Sequence, residues 1–166
     1  MTMASKMKTD CFISMVAEKL LILAYRHGYH VCSPIIAQAI HESGWCKSDL
    51  SDVYNYFGMK ANARWHGDYV EMKTYEERPD GTRYETVAKF RKYKSLMDGL
   101  DGYFVFVEIP RYDPLRCATD YKTYCNALKE CGYATSSTYS ASLIKIIEQY
   151  GLSRYDDILS NLEKGI

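Results

Sequence analysis

The chain has 166 residues, and 21 basic side chains balance 21 acidic ones at a formal net charge of zero. This length suits one domain with a sizeable core, and the balanced charge argues against a nucleic-acid partner held by phosphate neutralisation. No run approaches the length of a membrane span, and Met1 to Asp10 lack the apolar core of a signal peptide, so membrane insertion is not expected. Sixteen Tyr stand against five Phe and two Trp. A tyrosine offers a flat apolar face with a polar tip, which suits sugar-binding grooves as well as half-buried packing. The six cysteines, Cys11, Cys32, Cys46, Cys117, Cys125 and Cys131, form no C-x-x-C pair. They therefore read as free, packed thiols rather than a zinc ribbon or a thioredoxin-type site.

In chain order, Phe12 to Arg26 is the first periodic segment. Phe12, Met15, Val16, Leu20 and Leu23, with Ile22 beside them, share one face and leave Glu18 and Lys19 to water. Residues 1–11 precede it as an N-terminal extension, Gly28 ends it, and His27 and His30 read as surface or capping residues, since no second cluster has metal-ligand spacing. Ser33 to Trp45 then predicts a short buried helix, with Ser33 as N-cap, Pro34 at the first helical position and Gly44 as the stop. Ile36, Ala39 and Ile40 recur at helical spacing, and Ile35 and Ala37 widen the apolar surface. Glu42 stands alone in the last turn. Burial and the negative end of the helix dipole there both favour a neutral carboxyl, the state a general acid needs; a solvated or ion-paired Glu is the alternative. His41-Glu42 does not continue as the zinc-protease H-E-x-x-H, because Trp45 stands where the second histidine belongs.

Asn55-Tyr56-Phe57-Gly58-Met59-Lys60 marks a tight, partly buried turn whose aromatics can line a groove beside Glu42. From Tyr69 to Tyr93 the period drops to two. Val70, Met72 and Thr74 alternate with charged residues, Arg78-Pro79-Asp80-Gly81 is a turn signal, and Tyr84, Thr86, Ala88 and Phe90 alternate again. This predicts a β-hairpin lobe over residues 69–93, which needs the helical body beneath it and can move on that attachment. It carries Glu76, Glu77, Asp80 and Glu85, the best supply of a second carboxylate. The remainder is helical: Leu100, Tyr103, Phe104 and Val107 share a face, Pro110 and Pro114 interrupt, Tyr124, Leu128 and Cys131 resume, and Leu143, Ile146, Ile147 and Tyr150 keep helical spacing until Gly151. The expected fold is α+β, a mostly helical single domain over residues 12–166 with the hairpin inserted between two helical groups.

Taken together, these motifs resemble the bacterial cell-wall endo-β-N-acetylglucosaminidases of glycoside hydrolase family 73, relatives of the lysozyme fold. The resemblance runs from Phe12 to Asp156. It rests on Ile36 to Trp45, similar to the family's helix ending in Glu-Ser-Gly-Trp, and on Asn55 to Lys60, similar to its Asn-aromatic-Phe-Gly-aliphatic-Lys turn. Thr74-Tyr75-Glu76 with Ala88 to Ser95, and Gly132-Tyr133-Ala134-Thr135 with Tyr139 and Ile146 to Leu152, complete it in the same order. His41 and Cys46 replace residues that are usually aliphatic and Gly, and Ser136-Ser137 stands where Asp-Pro is common.

The resemblance implies a lysozyme-like domain that cleaves peptidoglycan glycan strands at the reducing side of N-acetylglucosamine, as an autolysin or a phage endolysin acting at the bacterial cell wall after secretion or phage release. It implies Glu42 as general acid, Glu76 as the hairpin carboxylate with Glu77 adjoining it, and Tyr133 near the scissile sugar. Asn55, Tyr56, Phe57, Trp45 and Tyr139 would bind the saccharide. No metal, no cofactor and a monomer are expected. The step after protonation needs a carboxylate-activated water, a carboxylate nucleophile or the substrate's own acetamide. A lytic transglycosylase of related fold, or a non-catalytic wall-binding module that keeps the groove, would carry the same fold.

Overall fold

The apolar periodicity closes around one buried helix. The structure is a computed structural model that describes residues 3–134 and 136–165, the side chains of residues 4–7 and Glu77 excepted. In order it contains α1 (Met3–Arg26), α2 (Ser33–Ser43), a 3-10 turn (Asp49–Val53), β1 (Tyr69–Glu77) and β2 (Arg83–Arg91), then α3 (Leu96–Val107), a second 3-10 turn (Pro110–Tyr112), α4 (Asp113–Cys117), α5 (Tyr121–Glu130), α6 (Tyr139–Tyr150) and α7 (Ser153–Lys164). Every residue of α2 from Ser33 to Ile40 is buried, and α1, α5, α6 and α7 pack around it. The fold is α+β, as the sequence predicts.

Helix α1 begins nine residues before Phe12, since neither Pro nor Gly interrupts Met3 to Arg26. Residues 3–11, expected as an extension, thus continue the helix; residues 1 and 2 lie outside the described residues. Its buried face is Phe12, Ile13, Val16, Ala17, Leu20, Leu23 and Ala24, whereas Met15 and Ile22 are exposed. Ile13, Val16, Ala17 and Leu20 share one side of the helix, and at about 100° per residue Met15 and Ile22 fall on the side opposite Ile13. His27 pairs with Asp101 at 2.8 Å and stacks on Phe104, and His30 pairs with Glu163 at 2.8 Å. All six cysteines are free; Cys32, Cys125 and Cys131 are buried, and Cys11, Cys46 and Cys117 are exposed.

The start of α2 departs from expectation. Ser33 is its first residue rather than its N-cap, and Cys32 in the cap position makes no side-chain cap bond. The acceptor comes instead from α7: Asp156 takes the Cys32 and Ser33 N–H groups at 2.8 Å and the Ser33 hydroxyl at 2.5 Å. Burial raises the Asp156 carboxyl above the ordinary carboxylate range, and these same hydrogen bonds hold it back down in part. Helix α7 itself is absent from the sequence expectation, which ends at Gly151. Its apolar residues, Tyr155, Ile158, Leu159 and Leu162, stand at the i, i+3, i+4, i+7 spacing of an amphipathic helix, so the signal is present after Gly151, although only Leu159 is fully buried.

Strands β1 and β2 pair antiparallel from Tyr69 opposite Arg91 to Glu77 opposite Arg83. Val70, Met72, Thr74, Thr86 and Ala88 are half-buried on one face, and Tyr69, Tyr75 and Val87 are exposed on the other. The hairpin is rooted in the body by its base: Ala61 N–H donates to Lys89 O at 2.8 Å, and Arg91 N–H donates to Met59 O at 3.0 Å.

Candidate active site

Helix α2 ends by turning left-handed. Gly44, Trp45 and Cys46 all have φ between 55° and 64°, and the Gly44 and Trp45 N–H groups both return to Ile40 O. This sharp stop leaves Glu42 in the last helical turn, at the edge of the core. Glu42 is exposed. The burial on which the desolvation argument depends is therefore missing in the open groove.

The groove in front of Glu42 holds about 610 Å³. His41 and Glu42 form one wall, Phe57 to Lys60 and Asn62 another, and Phe106, Tyr133, Ala134, Ser136 and Tyr139 close it. The Tyr139 hydroxyl donates to Glu42 Oε1 at 2.8 Å. Tyr133 stacks on Tyr139 with ring centroids 6.1 Å apart. Burial first, and then the charge of Glu42, hold the hydroxyls of Tyr133 and Tyr139 well above the ordinary phenol range, so both remain protonated donors. Phe57 is 5% exposed and packs its ring against Tyr103 at 4.8 Å while lining the groove.

The structure thus brings together Glu42, Phe57, Tyr133 and Tyr139 of the sequence-derived set. It places three others elsewhere, and their roles are corrected. Asn55 is 2% exposed, and its amide is engaged on both sides: Nδ2 donates to Met59 O and Arg91 O, and Oδ1 accepts from Met59 N–H, each at 2.9 Å. It shapes the turn and pins β2, with both amide protons committed and the side chain buried away from a sugar. Tyr56 is buried, its hydroxyl 3.7 Å from Cys46 Sγ and its ring 6.0 Å from Phe12. Trp45 points away from the groove lining, edge-on to Phe12 at 6.0 Å and to Tyr150 at 4.8 Å.

Glu76 does not line the groove. Its carboxylate pairs with the ammonium of Lys60, which does. The hairpin carboxylate is thereby tied to the groove's edge. The side chain of Glu77 and residue Thr135 lie outside the described residues.

Lys60, Phe106 and Arg91 escaped the sequence reading as site residues. Arg91 is 8% exposed; its Nε donates to Lys60 O at 3.2 Å, and its guanidinium lies 4.8 Å from the Trp65 ring centroid. Nothing in Phe90-Arg91-Lys92 marks Arg91 in the sequence, because its burial follows from where β2 meets the turn. The turn also rests on α3 through a small residue: a Cβ on Gly99 would stand 1.9 Å from the Tyr54 carbonyl oxygen.

A helical body, an appended hairpin and a lone carboxyl presented in an aromatic groove define a lysozyme-like glycoside hydrolase domain. The chain belongs to the glucosaminidase family, glycoside hydrolase family 73, whose model, described as mannosyl-glycoprotein endo-beta-N-acetylglucosaminidase, matches residues 18–152. It is 38% identical over 143 residues to the exo-glucosaminidase LytG of Bacillus subtilis, covering 81% of this chain and 50% of that one. It is 35% identical over 121 residues to the peptidoglycan hydrolase FlgJ of Escherichia coli K12, covering 69% and 38%. The catalytic domain of the autolysin Auto from Listeria monocytogenes superimposes with a TM-score of 0.80 at 29% identity, covering 89% of this chain and 87% of that domain. The chain spans half or less of the length of these curated relatives.

Proposed function

We propose that this domain is a peptidoglycan hydrolase that cleaves the β-1,4 bond on the reducing side of N-acetylglucosamine within glycan strands, as an endo-acting glucosaminidase. The observation that carries this reading is Glu42, presented in the groove and held by the Tyr139 hydroxyl at 2.8 Å. Glu42 protonates the glycosidic oxygen as the bond to the anomeric carbon breaks. Tyr139 then meets the carboxylate that forms, and this interaction strengthens as charge develops. Phe57 and Tyr133 give the sugar rings apolar faces. Glu76, approaching with the hairpin, activates the water that completes the reaction. A monomer working at the bacterial cell wall, exported or phage-released, fits this chemistry.

A second reading draws on one observation. Among the described residues lining the groove, Glu42 is the one carboxylate. A single acid suffices for a lytic transglycosylase, and equally for hydrolysis assisted by the substrate's acetamide. Mass spectrometry of the soluble fragments from purified peptidoglycan separates these products. Reducing-end N-acetylglucosamine is the expected result. Anhydro-muramic ends would replace the hydrolase with the transglycosylase, and no release would reject both.

A further inference from the structure

Behind Glu42 lies a line of buried polar groups that the chemistry above leaves unused. Gln38 sits one turn before Glu42 on α2 and is fully buried, as are Tyr103 of α3 and Tyr124 of α5. The Tyr103 hydroxyl donates to Gln38 Oε1 at 2.8 Å, and Gln38 Nε2 donates to the Tyr139 oxygen at 3.2 Å. Tyr139 in turn donates to Glu42 Oε1 at 2.8 Å. The hydroxyl oxygens of Tyr103 and Tyr124 are 2.6 Å apart.

Two orientations of the Gln38 amide can be imagined, and they give Tyr139 opposite roles. With Nε2 toward Tyr139, the tyrosine oxygen accepts from Gln38 and its proton goes to Glu42. With the amide turned over, Tyr139 donates to Gln38 and offers Glu42 only a lone pair. The far end of the line decides between them. In the first orientation Tyr103 donates to Gln38 and Tyr124 donates to Tyr103, so every buried hydroxyl proton has an acceptor. In the second, Tyr103 donates to Tyr124, whose own proton then has no acceptor among the described residues. Leaving a buried donor unmet is costly, so the first orientation wins.

We propose that Gln38 is a positioning residue for the reaction: with Tyr103 and Tyr124 behind it, its amide is held the way round that makes Tyr139 a donor to Glu42. This rests on Glu42 being the acid. The reacting proton passes from Glu42 to the glycosidic oxygen while Tyr139 keeps its own, and the engagement of Oε1 leaves Oε2 to carry that proton. A donor fixed in advance needs no reorganisation when the carboxylate appears. The signal in the sequence is a glutamine on the apolar face of a buried helix, where an amide needs partners on both sides.

The test compares the full chain with Gln38→Met, which removes the amide at similar volume, and Tyr103→Phe, which touches neither Tyr139 nor Glu42. The first readout is the Tyr139 hydroxyl proton, followed by NMR with labelled tyrosine and assigned by its loss in Tyr139→Phe. It is expected as a protected low-field resonance in wild type that shifts or disappears in both variants. The second is turnover of soluble glycan fragments, corrected for folded fraction. There kcat is expected to fall by about tenfold in Gln38→Met, with KM within about twofold. A wild type without that resonance, or a resonance unmoved in both variants, overturns the proposal, as does unchanged kcat in both. If wild type cleaves no glycan, the assignment of Glu42 as acid fails, and the hydroxyl resonance alone still decides whether Gln38 orients Tyr139.

Discussion

Asn55→Ala would remove an amide that closes three hydrogen bonds inside the turn before Lys60. Met59 O keeps its bond from Arg91 N–H, while Met59 N–H and Arg91 O lose the amide, so a destabilisation of about 2–3 kcal/mol is expected in chemical denaturation. Binding of glycan by the molecules that remain folded should be unchanged; weakened binding at full stability would return Asn55 to the saccharide. Cys46 makes the opposite case. Its φ of 63° is left-handed, a conformation that glycine adopts without the Cβ penalty. Relief of that backbone should make Cys46→Gly more stable by about 1 kcal/mol, and a variant less stable than wild type would show that the Cys46 contact with Tyr56 outweighs the strain. These residues also show what a motif can and cannot tell. Glu42 and Phe57 stand out in the sequence as a lone carboxyl at a helix end and an aromatic before a glycine in a turn, whereas Tyr133 and Tyr139 enter only through the resemblance to the family. Asn55, Tyr56 and Trp45 share those same motifs, yet they hold the motif together from behind. Spacing does not distinguish a residue that faces the groove from one that braces it.

At the scale of elements, the hairpin is the part whose behaviour matters most. Its base is fixed by backbone bonds to Met59 and Ala61, and its Glu76 pairs with Lys60. Both strands and the turn are legible from alternation and from Arg78-Pro79-Asp80-Gly81. Their relation to Glu42 is not, because it depends on where the hairpin base joins the body. If the hairpin closes over substrate and brings Glu76 to the reaction, an engineered disulfide that holds it open should abolish most glycan cleavage in the oxidised form and restore it on reduction. Full activity in the oxidised form would remove both the closure and the role of Glu76. Helix α7 lies beyond the sequence expectation although Tyr155, Ile158, Leu159 and Leu162 carry a regular helical repeat. Its effect is nonetheless close to the site, because Asp156 caps the start of the helix that ends in Glu42.

At the scale of the molecule, the design is one buried helix with its two ends put to different uses. The N-terminus of α2 is tied down by a carboxylate from α7, and the C-terminus presents a carboxyl to an open groove. The α+β class is readable because helical and two-residue periods occupy separate blocks of the chain. The identity of the bundle's central helix is readable too, since α2 is apolar on nearly every side. What was not readable is Glu42's surroundings: the helix is buried, but His41 and Glu42 in its last turn are exposed, and Glu42 gets its hydrogen-bond partner from α6, ninety-seven residues on.

The most direct measurement of the central claim is release of soluble fragments from purified peptidoglycan by Glu42→Gln beside wild type, with co-sedimentation on the insoluble wall followed in parallel. The account predicts that Glu42→Gln folds, still binds the wall, and releases fragments slower by about a hundredfold to ten-thousandfold. Release near the wild-type rate would contradict it, because the proton for the leaving oxygen would then have to come from another group.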